Sequence, residues 1–369
     1  VNTKIISVDI YGVAVPLVGA GFKNAYVTKT VQKSAIVRLV DSDGFTGLGN
    51  IDPSPGYSAE TIEQSLAVLN DVLTPVIKGI DPFNIHELLV IMNKAQDHFY
   101  DAKAAIEMAC TDLICQRLGI PVYTYLGGEQ VKELRFNAWI GILPPEEAAA
   151  EAKKWFDQGF RSAKVKVGGG IQADKARISA VREAVGPTMS LRADANAGYS
   201  VEDSVALARL LEPFNMQLLE QPVAAEDLVG MAKVRKSTDI PIMADESIID
   251  FKSLIAVIKH DAADIVKLKV MKQGGFLNTR RMLETATAAG MKIVIGHGFG
   301  LGINTSAEIM LASTSLDVLE GLECVGPLKT SDDIVKEKFD LSRGSMTLPG
   351  GAGLGVELDL SKVRKYQFH

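Results

Sequence analysis

Lys166 (AKVKV), Asp194 (LRADAN), Glu220 (QLLEQP), Asp245 (IMADES), Lys269 (VKLKV), His297 (IVIGHG) and Glu323 (LEGLEC) each close a short apolar run. They recur 24 to 28 residues apart by subtraction of their numbers. Two lysines flank three carboxylates in that series, a pattern suited to a cation held between two bases. Carboxylates at the ends of three neighbouring strands repel, and at least one takes up a proton unless positive charge intervenes. All-oxygen ligation with open positions suits Mg²⁺, with Mn²⁺ as the alternative. Lys164-Val-Lys166 and Lys267-Leu-Lys269 place both lysines of each pair on one strand face, since side chains alternate. Facing apolar helices they would bury charge at high cost, so they should face the open end of the fold. Lys166 and Lys269 would then approach a bound substrate from opposite sides. Removing a proton α to a carboxylate demands stabilisation of an enediolate, which a cation aided by Lys164 can give. A lysine that accepts the proton must itself be neutral. Asn196 and Glu246 stand beside the carboxylates as supporting groups, and Tyr57 lies in a loop expected to cover the site. Any one of these acids could instead cap a loop or helix, but all three at this spacing argue for a site.

Such residues need a scaffold that brings successive strand ends together. A strand, a crossover helix and two loops take about 30 residues, so the ladder predicts successive strands of one parallel barrel with its chemistry at the C-terminal ends. The rhythm begins at Ala138 and stops after Gly326-Pro327. Pro144-Pro145 should open one helix and Ser200 should cap another. Before the barrel, residues 4–16 and 33–40 alternate as strands. Ser58-Ala-Glu-Thr should start a helix, and Ala102–Leu118 reads as a helix with Ala105, Ile106, Ala109, Leu113 and Ile114 on one apolar face. The expected division is an α+β capping domain over 1–128, a barrel over 129–326, and a tail over 327–369 that returns to the cap. The loops Val18–Thr30 and Asn50–Tyr57 should close over the substrate.

The 369 residues suffice for a barrel of roughly 250 and a smaller domain. A net charge of −6 with interspersed signs argues against nucleic acid or a membrane surface as partner. Cys110, Cys115 and Cys324 have neither metal-site nor disulfide spacing. The N-terminal residues lack a secretory pattern and no apolar run is long enough to span a bilayer, so a cytoplasmic protein is expected. Gly351-Ala-Gly353-Leu-Gly355 has the wrong spacing for a nucleotide loop, and Gly168–Gly170 reads as a bend rather than a phosphate cradle. Trp139 is a candidate for either the pocket or the core.

The helix DAKAAIEMACTDLICQRLGIPVYTYLGG, the run KVK, ADAN, LLEQP, MADES and KLKVMKQGG, and the segments ECVGPLKTSDDIV and GAGLGVELD occur here in the order found in one family. The chain resembles the mandelate racemase/muconate lactonizing enzyme family of the enolase superfamily, and within it the muconate-lactonizing-like branch. That resemblance implies a modified (β/α)₇β TIM barrel under an α+β capping domain. It implies Asp194, Glu220 and Asp245 as Mg²⁺ ligands, Lys166 and Lys269 as acid/base catalysts, and Lys164 as a holder of the substrate carboxylate. Departures bear on the substrate. Gly296–Gly300 has no counterpart of the glutamate found there in muconate cycloisomerases, and Glu323-Cys324-Val325 stands where dipeptide epimerases carry Asp-x-Asp. His297 reads equally as a substrate contact or a structural hydrogen bond, with Lys267 and Glu323 as further pocket candidates.

The expected function is therefore a Mg²⁺-dependent isomerase that abstracts the α-proton of a small carboxylate, muconate cycloisomerase-like. The alternative is racemisation or epimerisation of an amino-acid derivative or dipeptide by two lysines. A Schiff-base aldolase and a non-catalytic barrel are the competing classes, disfavoured by the three carboxylates and the complete motif set. A homo-oligomer acting on a small molecule is expected.

Overall fold

The computed structural model describes residues 3–19, 22–23, 28–54 and 58–368. The apolar runs of the ladder form seven parallel strands of one sheet, in chain order: Ala138–Ile140, Ser162–Lys166, Ser190–Asp194, Met216–Glu220, Ile242–Ala244, Ile265–Leu268 and Lys292–Ile295. They are short and buried, as strands covered on both faces must be. The ring closes through residues 317–323, which pair by isolated parallel bridges, Val318 with Ile293 and Leu322 with Phe136, rather than as a regular strand. Backbone bonds secure both sides, from Leu319 N–H to Ile293 and from Asn137 N–H to Leu322. The result is a modified TIM barrel.

Alternation along each strand decides what fills the barrel. Leu218, Met243 and Ile265 lie two residues before Glu220, Asp245 and Lys267, and with Val294 they form a buried apolar cluster. Residues at the strand ends on that same face therefore rest on an apolar plug and point to the mouth. Arg192, two before Asp194, is completely buried. Its guanidinium donates to the carbonyls of Glu320 at 2.6 Å and Gly321 at 2.8 Å, which ties the closing segment to the sheet.

The cap is an antiparallel sheet of Ile5–Pro16, Val31–Asp41 and Thr46–Ile51 with helices packed on it. The helix Tyr100–Leu118 is buried on every side from Asp101 to Cys115, where the sequence pattern predicts a single apolar face. Its small residues let it lie flush on the third strand. A Cβ on Gly49 would stand 1.9 Å from the Ala105 carbonyl oxygen, so only glycine fits there. The polar residues of this helix are not solvated either. Asp112 accepts from the Leu48 and Leu354 N–H groups, both at 2.8 Å, joining cap strand to tail. Glu107 accepts from Phe276 N–H at 2.7 Å and Leu277 N–H at 3.0 Å, capping the barrel helix Phe276–Ala288. Ser200 caps Val201–Leu211, and Pro144 precedes Pro145–Asp157. The early cap helix begins at Ile62 rather than Ser58, because Thr61 and Gln64 form a reciprocal capping box there. After the barrel, Ser331 N–H donates to Pro16 and Phe368 N–H to Gly12, both on the first cap strand.

Glu107 is thus a bolt between cap and barrel. Replacing it by Ala should leave one buried and one partly buried N–H group unpaired and cost about 1–3 kcal/mol. Burial pushes its carboxyl up to about 7 despite the two donors. The folded state then holds this proton more tightly than the unfolded chain, so its contribution to stability falls as pH rises from about 4.5 to about 7. A melt-versus-pH series should show this slope reduced in Glu107→Ala; an unchanged stability and slope would remove Glu107 from the account.

Candidate active site

The strand ends meet in register. Lys166 pairs with Asp194 across the second and third barrel strands, and Asp194 with Glu220 across the third and fourth. Asp245 follows the fifth strand directly. All three carboxylates are essentially inaccessible, and each leans on lysine. Lys166 Nζ lies 2.6 Å from Asp194 Oδ2. Lys267 and Lys164 reach Glu220 at 3.0 and 3.2 Å, and Lys269 bonds to Asp245 Oδ1. The two lysines thus stand on either side of the trio, Lys166 at the Asp194 end and Lys269 at the Asp245 end. Lys164 and Lys267 also grip Glu323, which Arg192 holds from below at 3.1 Å.

Electrostatics follow from this packing. Burial works against ionisation of Asp194, Asp245 and Glu323, yet the surrounding lysines hold all three below their usual range, Asp245 and Glu323 far below it. Glu220 goes the other way, pushed up to about 8 by burial and then by Asp194. Burial opposes the Lys164 charge, but Glu220 and Glu323 keep it raised. As placed, no three His, Cys, Asp or Glu side chains among the described residues are gathered closely enough to hold an ion. The donor set nevertheless suits a hard cation: three buried carboxylates at adjacent strand ends, one lacking enough positive charge to stay ionised at neutral pH. Asp245 Oδ2 is buried with no hydrogen-bond partner.

The loops after the strands carry the remaining candidates. Asn196 adopts φ +44° and Gln221 φ +35°. These left-handed conformations turn the chain sharply after Asp194 and Glu220, strain of the kind that collects at functional sites. Asn196 accepts from Lys166 at 2.6 Å and donates to Glu246 at 3.1 Å, so both belong to the site's support. His297 is buried in the cavity wall. Its own N–H donates to Glu308, and its ring Nε2 is buried without a hydrogen-bond partner. Burial and then Lys269 keep the ring neutral, far below its usual pKa. Tyr57 lies outside the described residues. The N–H groups of Gly168 and Gly169 are taken by Asp174, which leaves no phosphate cradle there.

A cavity of about 550 Å³ opens above these groups, a size suited to a small ligand. Lys164, Lys166, Lys267, Lys269, His297 and Glu323 all face it, and Trp139 lines it while packing on Trp155 at 4.7 Å. Lys29 and Ser54, from the two loops expected to close over the substrate, also line it, as do Lys329 and Phe299, and sequence reasoning singled out none of these four side chains. Arg192 was overlooked too, although Arg-x-Asp on a strand repeats the alternation that exposed Lys-x-Lys.

A closed barrel with its polar ladder at the strand ends, covered by an α+β cap, defines an enolase-superfamily isomerase. The family profile described as mandelate racemase/muconate lactonizing enzyme, N-terminal domain, matches residues 5–127, and the one described as enolase C-terminal domain-like matches 147–363. The chain belongs to the mandelate racemase/muconate lactonizing enzyme family. It is 32% identical over 357 residues to the N-succinyl-L-Arg/Lys racemase of Bacillus cereus, covering 96% of each chain. The solved structure of that racemase superimposes with a TM-score of 0.95 at 31% identity, over 99% of this chain and 98% of the other. Muconate cycloisomerase 1 of Rhodococcus opacus is 30% identical, over 99% of each chain. A dipeptide epimerase from Enterococcus faecalis, solved in complex with Mg and the dipeptide L-Leu-L-Tyr, matches with a TM-score of 0.91 at 31% identity, over 96% of this chain and 99% of that one. Among the described residues no helix is long and apolar enough to cross a membrane.

Proposed function

We propose that this protein racemises or epimerises an amino-acid derivative at its α-carbon, by proton transfer between Lys166 and Lys269. The observation that carries this reading is the placement of the two lysines at opposite ends of the carboxylate trio, facing one cavity. A cycloisomerase needs one face only. The relatives support racemisation or epimerisation at least as well as the muconate cycloisomerase-like reading favoured from sequence. The missing carboxylate in Gly296–Gly300 weighs the same way.

Asp194, Glu220 and Asp245 would hold a divalent cation, Mg²⁺ by analogy with the epimerase solved with Mg. Bound there, it supplies positive charge to the substrate carboxylate as charge develops in the transition state. One lysine removes the α-proton while the other, protonated, delivers a proton to the opposite face. Lys164 is placed to hold the substrate carboxylate, and Asn196 and Glu246 keep Lys166 oriented. Neutral His297 offers a hydrogen bond to the substrate from the cavity wall.

The test is α-proton exchange in D₂O over N-acylated amino acids, dipeptides, sugar acids and muconates. An N-acylated amino acid or dipeptide should gain α-deuterium and lose optical purity. Lactone formation from a muconate, with no exchange in any amino-acid derivative, would overturn the reading.

A further inference from the structure

The two lysines proposed to move the proton are held in different ways. Lys166 lies inside its strand, paired in register with Asp194, so the sheet itself fixes its backbone. Lys269 follows a strand that ends at Leu268, and no ladder pair among the described residues reaches it. Its backbone is bonded instead within one tight turn. The side chain of Gln273 accepts the Lys269 N–H at 2.6 Å, and the Lys269 carbonyl accepts from the Lys272 and Gln273 N–H groups at 3.0 and 3.2 Å. Both side chains also reach the turn after the fifth strand. Gln273 Nε2 donates to the Ile248 carbonyl at 3.3 Å, and Lys272 Nζ to the Asp245 carbonyl at 3.0 Å.

Lys272 and Gln273 are only 6% and 2% exposed, and neither is among the described residues lining the cavity. Anything they do for the reaction therefore passes through Lys269 and Asp245. A buried ammonium is costly to hold, and an apolar side chain of similar volume is often no less stable in its place. Packing alone thus gives no reason for lysine at 272, whereas a donor long enough to reach the Asp245 carbonyl gives one. The far end of the turn is constrained as well. Gly275 stands at φ +104°, and a Cβ there would lie 2.2 Å from Glu107 Oε2 on the cap helix. Because these bonds run through backbone groups, they hold Lys269 in place whichever partner its ammonium takes.

We infer that Gln273 and Lys272 are positioning residues for Lys269, fastening the backbone of that one lysine to the end of the neighbouring strand and so serving one face of the substrate only. The inference rests on the proposed two-lysine racemisation. A misplacement of about 1 Å can cost roughly 100-fold in rate, so loosening this turn should show clearly on the Lys269 face and leave the Lys166 face alone.

Single-enantiomer α-proton exchange in D₂O on the intact protein with Mg²⁺ tests it. The probe is each enantiomer of the N-acylated amino acid that the wild-type protein exchanges fastest, and Gln273→Met and Lys272→Met are compared with Lys269→Ala. Each methionine variant should slow exchange about 10–100-fold for the enantiomer that Lys269→Ala no longer exchanges, through kcat with KM little changed. The other enantiomer, served by Lys166, should exchange at the wild-type rate in the same sample, which verifies fold and metal together. Lys272→Arg, whose guanidinium can still donate to the Asp245 carbonyl, should recover most of the loss. Lys272 Nζ also lies 3.6 Å from Asp245 Oδ1, so an effect exerted through the cation would slow both enantiomers. Neutral Gln273 separates the two routes. Equal slowing of both enantiomers in Gln273→Met, or wild-type exchange of both in the two methionine variants, would overturn the inference. A wild-type protein that exchanges no amino-acid derivative and lactonises a muconate would instead remove the racemase reading, and the inference with it.

Discussion

Lys166→Ala should lose α-deuterium exchange from one enantiomer of the substrate, and Lys269→Ala from the other. Lys166 ends its strand and Lys269 directly follows one, each as the second member of a Lys-x-Lys pair. The Asp194, Glu220 and Asp245 carboxylates separate their ammonium groups, so each addresses a different face of a substrate held above the trio. Overall turnover requires both faces, and each single variant should fall by about 10²–10⁴-fold, the range for loss of a positioned general acid or base. Single-enantiomer exchange in D₂O separates the faces where turnover cannot. If one variant lost exchange from both enantiomers and the other from neither, a single base would do the chemistry and the second lysine would act electrostatically. Near-wild-type rates in both variants would overturn the mechanism and leave the fold assignment intact.

What could be read from the sequence was whatever strand alternation and the βα interval control. Lys164, Lys166, Asp194, Glu220, Asp245, Lys267 and Lys269 share one face of adjacent strands because a parallel sheet leaves them no other geometry. The same logic would have found Arg192, one alternation below Asp194. Other features depend on tertiary contacts with no local signature. The helix Tyr100–Leu118 carries Glu107 and Asp112, which a periodicity argument assigns to solvent. Only the docking of Phe276–Ala288 and of the tail at Leu354 shows that both are buried acceptors. Ser58 lost the cap to Thr61 because Gln64 completes a capping box three residues on. The closing segment around Glu323 follows the apolar rhythm of a strand, yet it makes isolated bridges pinned by Arg192. Lys29 and Lys329 lie 300 positions apart by subtraction and meet only because cap and tail share the cavity roof. Long-range convergence of this kind shapes the cavity roof, and it is the part a linear reading does not reach.

Chelation should abolish activity while leaving the protein folded. Two of the proposed ligands are compensated by lysine, Asp194 by Lys166 and Asp245 by Lys269, and Glu220, pushed up to about 8, sits against Lys164 and Lys267 with its proton kept. Removing a cation therefore exposes no naked cluster of buried carboxylates, the situation that makes breaking a buried ion pair so destructive. The same pairing is incompatible with catalysis, because a lysine neutralising a carboxylate is not free to take the α-proton. Adding Mg²⁺ to EDTA-treated, dialysed protein should restore turnover. It should also raise the melting temperature in a concentration-dependent way, by about 2.7 kcal/mol of added stability at 100 times the dissociation constant. An all-oxygen donor set should accept Mn²⁺ as well. Monovalent salt at matched ionic strength should reproduce neither effect, since screening acts weakly on buried pairs. Full activity in metal-stripped protein would remove the cation from the mechanism. A collapse of the fold on chelation would show instead that the lysine pairs cannot stand in for it.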